Sequence, residues 1–445
     1  MVVIAVGERT DTAVDRMRDR IAADGIDHVF LEFPDINGIS RSKQVSPEYF
    51  LEHWEDGFTV NLLILAQTPR NDVPEGSGLG EEIGYGDGML QPVPGTVRPL
   101  PWRDDAVRVL CDVTTAAGDP LTAAPRTALQ RMIDRIEGRD DAIAFTVGSE
   151  LEFYLLDAVD GRYEPATSHK HEFMSWATEE LSAYTNDLAA WSDTYGVPVH
   201  SIMHEHGAGQ LEALFEYGDP LTQADRTFDF KRLVKQTARE HDRWATFMAK
   251  PFGDRAGSGY HLHVGGRSAG HNVFADGDGL SAFGRRFVGG ILEHADALAA
   301  LGTPTLNAFK RYKPNSFAPS TASWGFDDRT VGVRIPSGTT RVENRIPSAD
   351  ANPYLVIAST LAAGIHGVEA GIEPPEPVDS DPDGERPSLP ISPERSLRAL
   401  ANDDVIRSWL GEDVIRVYTA SKRAELQAFR DVVTDWERTQ YVQNL

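Results

Sequence analysis

Glu150 and Glu152 stand two residues apart in Gly148-Ser-Glu-Leu-Glu-Phe-Tyr154, alternating with Leu151 and Phe153. A strand turns successive side chains to opposite faces. The segment can therefore be buried only by sending Leu151 and Phe153 into a core and both carboxylates, about 6–7 Å apart, the other way. Two carboxylates on one face repel and raise each other's pKa unless a cation lies between them. Alone, the pattern also suits an edge strand with solvated glutamates.

Three further segments bear on that choice. Met203-His-Glu-His-Gly-Ala-Gly-Gln-Leu-Glu212 sets Glu205 and Glu212 on either side of a glycine-rich turn able to return both to one place, although a polar surface turn reads the same way. Lys250-Pro-Phe-Gly-Asp-Arg-Ala-Gly-Ser-Gly-Tyr-His-Leu-His263 feeds a glycine loop into a strand on which His261 and His263 share a face. Asp327-Asp-Arg-Thr-Val-Gly-Val-Arg-Ile-Pro336 and Arg341-Val-Glu-Asn-Arg-Ile-Pro347, with Lys310-Arg311 before them, set Arg341, Glu343 and Arg345 on one strand face. Two such strands in succession exceed what a solvated, salt-bridged face requires. Arginine's planar fork suits carboxylates and phosphates.

Taken together, the acidic and imidazole ligands and the arginines suit phosphoryl transfer from a nucleotide, with divalent ions neutralising the developing charge. Oxygen-rich ligation with a single His favours Mg²⁺ or Mn²⁺ over Zn²⁺. No Walker loop and no G-x-G-x-x-G before a helix is present, so neither P-loop nor Rossmann nucleotide binding is indicated.

The 445 residues exceed one ordinary core, so two domains are expected, with a boundary near residue 104. The net charge of −25 discounts nucleic acid and anionic membrane as partners. Only 8 of the 43 basic residues are lysine, a pattern that fits a salt-adapted cytoplasm. The single cysteine, Cys111, lies in the apolar run Val107–Cys111 and is expected in a core, in keeping with a reducing, cytoplasmic location. Met1-Val-Val-Ile-Ala-Val6 lacks the basic start of a signal peptide, and no apolar run reaches membrane-spanning length.

Along the chain, the patterns predict helices over 12–24, 125–138, 221–245, 282–301 (weak at Gly289-Gly290), from Asn352-Pro353 onward, and over 421–441. They predict strands over 28–33, 107–113 and 142–156. Residues 66–100 read as loops with short strands and 373–389 as a surface excursion.

The order and spacing of these segments resemble the glutamine synthetase family over nearly the whole chain. The resemblance rests on Phe33-Pro-Asp-Ile-Asn-Gly38, Leu100-Pro-Trp102 with Val109-Leu-Cys-Asp112, Gly148–Glu152, His204–Glu212, Lys250-Pro with Gly257–His263, and Arg334-Ile-Pro through Arg341–Arg345 to Ala351-Asn-Pro-Tyr354. It implies an α+β fold: a small N-terminal β-grasp domain, 1–104, and a catalytic domain, 105–445, with a curved antiparallel sheet and surrounding helices. It also implies sites between neighbours in hexameric rings, usually stacked as a dodecamer. One metal would fall to Glu152, Glu205 and Glu212, and a second to Glu150, His261 and Glu343. Arg311, Arg345 and backbone at Gly257 would grip glutamate, and Arg329, Arg334 and Arg341 would face ATP phosphates. His263 would lie near the nucleotide, and Asp35 would reach the amine site of the adjacent subunit.

The chain departs from ammonia-using members at the flap. In Arg311-Tyr-Lys-Pro-Asn-Ser-Phe-Ala-Pro319, Phe317 stands where the family's flap glutamate would be. Phe can neither attract ammonium nor accept a proton, and an apolar wall there favours an amine with a carbon chain, such as putrescine, another polyamine or an alkylamine. Leu211 after Gln210 and Ala256 in the loop are lesser departures in the same direction. The expected activity is ATP-dependent ligation of glutamate to such an amine. Glutamine synthesis is the alternative within the family, and a non-catalytic glutamate- or nucleotide-binding regulator is the alternative outside catalysis.

Overall fold

The computed structural model describes residues 6–445 apart from 24, 140–142, 171, 278, 314–315 and 379–385. The chain begins with helix α1 (Val6–Ile21), which starts before the expected residue 12. Six strands follow, β1 (His28–Pro34), β2 (Ser40–Val45), β3 (Phe58–Asn61), β4 (Asp87–Pro92), β5 (Arg98–Leu100) and β6 (Arg103–Thr115), with α2 (Pro47–His53) after β2. They form one sheet in the order β2-β1-β6-β4-β3, with β5 on β6. The parallel β1–β6 pair lies at its centre and a hairpin flanks it on each side, which is the β-grasp arrangement. Val29, Leu31, Val107, Val109 and Cys111 are all fully buried there. Residue 104 lies inside β6, so a seam placed in the turn after Thr115 would keep this sheet whole.

The second sheet uses β7 (Ala144–Val159), β8 (Arg162–Pro165), β9 (Val199–His204), β10 (Gln210–Phe215), β11 (Trp244–Thr246), β12 (Tyr260–Ser268) and β13 (His271–Asn272). The small pair β14 (Ala275–Asp276) and β15 (Gly279–Leu280) stands apart. The sheet closes with β16 (Trp324–Phe326), β17 (Val333–Ile335) and β18 (Val342–Asn344). Its order is β16-β17-β18-β12-β7-β10-β9, antiparallel except for β16–β17. The expected start of β7 at residue 142 lies outside the described residues, and Ala144 is the first residue in the strand.

The helices α3 (Pro125–Glu137), α4 (Ser175–Glu180), α5 (Ser182–Tyr195), α6 (Pro220–Glu240), α7 (Ala282–Glu293), α8 (Ala295–Gly302), α9 (Pro353–Ala370), α10 (Pro393–Asn402), α11 (Asp404–Leu410), α12 (Glu412–Arg430) and α13 (Asp435–Tyr441) cover the sheet. α9 starts as the sequence predicts: Asn352 caps Tyr354 N, and Pro353 takes the first helical position. Its residues from Pro353 to Ile365 are all buried, so it is the central helix of this unit.

Three helix expectations need correction. α6 stops at Glu240, because Trp244–Thr246 pairs with the edge of β7 instead of continuing the helix. The 282–301 segment breaks at His294, not at Gly289-Gly290. A Cβ on Gly290 would meet Ala363 O at 2.0 Å and one on Gly289 would strike the backbone of Ile372, so these glycines let α7 approach α9 and the segment that follows it instead of marking a weak point. The 421–441 segment is the end of α12 followed by α13, which Thr434 starts with a capping box to Glu437.

Charged pairs join the first sheet to α3 and α6. Arg232 on α6 reaches Glu32 on β1 at 2.7 Å, Asp229 on α6 pairs with Arg108 on β6, and Arg126 on α3 bridges Asp112 and Asp225. Arg108 and Asp229 are both buried, so removing either would leave the other as an uncompensated buried charge.

Candidate active site

Strand register gathers the acids. Glu150 on β7 lies opposite His261 on β12 and Leu214 on β10, Glu152 opposite Glu212 on β10, and Glu343 on β18 opposite both His263 and Arg334. Because alternate residues share a face, one face of four adjoining strands carries Glu212, Glu150, Glu152, His261, His263 and Glu343, while Leu151 and Phe153 are fully buried on the other.

Two groups result. Ligand atoms of Glu150, His261 and Glu343 lie within 4.8 Å of one another, and so do those of Glu152, Glu212 and His261. His261 belongs to both, with Nδ1 3.2 Å from Glu150 and 3.8 Å from Glu343, and Nε2 3.8 Å from Glu152. Glu205, in the loop after β9, is outside the second group, although its carboxylate faces Glu152 closely enough to be raised by it.

The electrostatics separate along the same line. Burial acts to raise Glu150, but contacts from His261 and His263 outweigh it and hold the carboxyl well below its usual range. Glu343, fully buried, is likewise held low by His261, Arg345 and His263 against the burial effect. On the other side, burial and neighbouring carboxylates push Glu205 up to about 7 and Glu212 up to about 9, with Arg329 offsetting part of each rise. Carboxyls raised in this way are short of positive charge. An oxygen-rich donor set with one imidazole, crowded until protons are retained, suits a hard divalent cation such as Mg²⁺ or Mn²⁺.

The arginines divide by partner. Arg345 donates to Glu343 Oε1, while its buried Nε has no partner. Arg334 donates to Glu343 Oε2 at 3.0 Å and to Asp327 at 3.3 Å. Arg341 Nε donates to His263 Nδ1 at 3.1 Å, which leaves Nε2 to carry the proton that faces Glu150 Oε1 at 2.7 Å. Arg311 is buried beneath the glycine loop and donates to the carbonyls of Ile346 and Arg345. Gly257 packs on it so closely that a Cβ would stand 2.8 Å from Arg311 Cγ. Arg329 is exposed.

A cavity of about 420 Å³ opens beside Glu150, walled by Gly148, Tyr217, His263, Thr339 and Arg341. Its small and polar wall residues carry no periodic signal, so sequence reasoning missed Tyr217 and Thr339. Only the paired glycines Gly265-Gly266 after His263 hint that a ligand comes close there. Gln210 donates to both Glu152 Oε2 (2.9 Å) and Gly257 O (3.0 Å), tying the acid strand to the glycine loop.

Two predicted residues stand apart. Asp35 is fully buried, and its carboxylate is engaged within its own turn by Asn37 N, Ile39 N and Arg41 Nε. Within one chain it is not brought to the carboxylates. Phe317 is 62% exposed, with φ 55, on the loop that rises from Arg311. Positions 314–315 of that loop lie outside the described residues.

Residues 122–441 match the family model described as glutamine synthetase, catalytic domain. A γ-glutamylethanolamide synthetase of Streptomyces coelicolor is 32% identical, covering 98% of this chain and 96% of its own. A glutamine synthetase of Thermotoga maritima is 34% identical, covering 96% of this chain and 99% of its own. Among solved structures, a GmaS/ADP complex aligns with a TM-score of 0.86 at 30% identity, covering 96% of this chain and 99% of that one.

Proposed function

We propose that this chain, which belongs to the glutamine synthetase family, is an ATP-dependent carbon–nitrogen ligase that couples the side-chain carboxylate of glutamate to an amine bearing a carbon chain. The observation that carries the ligase reading is the convergence of Glu150, Glu152, Glu212, His261 and Glu343 on one sheet face beside an open cavity.

The cavity beside Glu150 suits the nucleotide, with His263 and Arg341 at its wall. Bound Mg²⁺ or Mn²⁺, held by Glu150, His261 and Glu343 and by Glu152, Glu212 and Glu205, would neutralise phosphate and carboxylate charge. Arg311, the partnerless Nε of Arg345 and backbone at Gly257 would hold glutamate so that its side-chain oxygen faces the terminal phosphorus. That oxygen bonds to phosphorus as ADP leaves, giving an acyl phosphate. The amine nitrogen then bonds to the acyl carbon as phosphate leaves. Arg329, Arg334 and Arg341 would stabilise charge on the phosphate oxygens. An ammonium nitrogen has no free electron pair, so a carboxylate must first take its proton. Asp35 of an adjacent subunit is our assignment for that site, within stacked hexameric rings, a role that requires the turn holding its buried carboxylate against Arg41 to open.

Phe317 favours an amine with a carbon chain over ammonia: its exposed ring supplies apolar surface and no proton acceptor. Putrescine, other polyamines and alkylamines are the candidate class. Ammonia is the second reading, supported by the similarity to the Thermotoga enzyme. A purely regulatory role fits poorly with an assembled carboxylate cage. The test is an amine panel with ATP, Mg²⁺ and glutamate, with products read by mass. Higher kcat/KM for ammonia than for every amine would overturn the preference. ADP release that does not depend on glutamate and an amine or ammonia would overturn the ligase reading.

A further inference from the structure

A groove of about 650 Å³ lies between α1 and the Pro94–Pro99 bend, and it shares no residue with the carboxylate cage. Its walls carry Arg16 and Arg20 from α1, Arg98 from β5, and Asp19 as the acidic residue. Arg16 and Arg20 are four residues apart and so share a helix face. Among the described residues, neither has an ion-pair or hydrogen-bond partner.

Arg98 is held in place without a carboxylate. It donates to the carbonyls of Gly95 (2.9 Å) and Val97 (2.8 Å). Gly196, the left-handed end of α5 with φ 84, gives it room: a Cβ there would stand 2.4 Å from Arg98 Nε. Burial lowers the Arg98 pKa, and nearby Arg108 adds to that effect.

Three guanidiniums without carboxylate partners are out of keeping with a chain of net charge −25. At the seam between the sheets, Arg108, Arg126 and Arg232 are all paired with acids. We propose that the groove binds a small metabolite anion carrying two negative charges, a dicarboxylate or a phosphate. Three arginines against one aspartate leave a surplus of two positive charges, and the planar fork of arginine matches both kinds of oxyanion. The volume is that of a small-molecule pocket. The anion would join α1 to the bend and to the end of α5, where Thr194 also lines the groove.

The test is calorimetric titration of the full chain with glutarate and, separately, with inorganic phosphate. Saturating ADP, Mg²⁺ and glutamate keep the catalytic cavity filled. Binding of at least one anion is expected, weakened about tenfold or more in the Arg16→Gln/Arg20→Gln double variant and again in Arg98→Gln. The first variant alters exposed side chains and keeps the test open if Arg98→Gln fails to fold. Heat from glutarate alone identifies a carboxylate site, and heat from phosphate alone a phosphate site. Absence of heat from both, or binding that survives the α1 double variant, overturns the proposal.

Discussion

His261 spans the two halves of the carboxylate cage, its Nδ1 facing Glu150 at 3.2 Å and its Nε2 facing Glu152 at 3.8 Å. Removing the ring leaves both carboxylate groups without their shared imidazole. His261→Ala is expected to weaken Mn²⁺ binding by about 10–100-fold and to lower kcat/KM by about 100-fold or more. Mn²⁺ calorimetry beside steady-state kinetics checks this. Unchanged metal affinity would remove His261 from the ligand set.

The pH dependence of stability without metal follows from the raised acids. Glu205 and Glu212, at about 7 and about 9, hold protons in the fold that the unfolded chain releases near 4.5. Such groups stabilise the fold below the unfolded pKa and lose that effect as pH rises through the folded value. The melting temperature in chelator should therefore fall from about pH 5 to about pH 9. Added Mg²⁺ should flatten the slope by replacing the protons. Asp35 and Asp229, pushed up by burial to about 6 and about 7, add to the acidic part. Glu212→Gln isolates the alkaline part and should be relatively more stable than the parent near pH 9. A melting temperature that rises across the window contradicts the account.

Phe317 holds a left-handed backbone that costs a bulky residue about 1–2 kcal/mol. Phe317→Glu should move the ratio of kcat/KM for ammonia to that for alkylamines by about tenfold or more towards ammonia, by adding a proton acceptor. Phe317→Gly removes the strain without adding the carboxylate. If it produced the same shift, the acceptor argument would fail.

Gly290 sits where a methyl group would strike the backbone of α9 at Ala363 O, 2.0 Å away. Backbone cannot move aside as a side chain can, so Gly290→Ala should destabilise the catalytic unit by about 1–3 kcal/mol. Urea unfolding measures this. Parent-like stability would mean that α7 and α9 can separate freely.

The strands that carry the acids were legible because the chemistry requires alternate residues on one face, and alternation is what sequence displays most plainly. Glu150 with Glu152 and His261 with His263 follow that pattern, and so does the start of α9 at Asn352-Pro353. The break at His294 was not legible, because its cause is remote: Asp403 reaches His294 Nδ1 at 2.6 Å and His366 faces its Nε2 at 2.9 Å. The end of α6 was misjudged because residues 244–246 satisfy helical and strand patterns alike, and pairing with β7 decides. The alternation at Arg341, Glu343 and Arg345 puts three charged residues on one face, but no local pattern announces that Glu343 is fully buried and paired with both Arg334 and Arg345.

The acids of β7 sit in a strand whose opposite face is core, and that makes the strand a reading frame. Deleting one residue between Ala144 and Ser149 would exchange Glu150 and Glu152 for Leu151 and Phe153 throughout the paired length. Oil would then line the cavity and acid would enter the interior. Lineages of this enzyme should therefore accept length changes in the connections around β7 and reject them inside it, whatever nitrogen compound they have come to use.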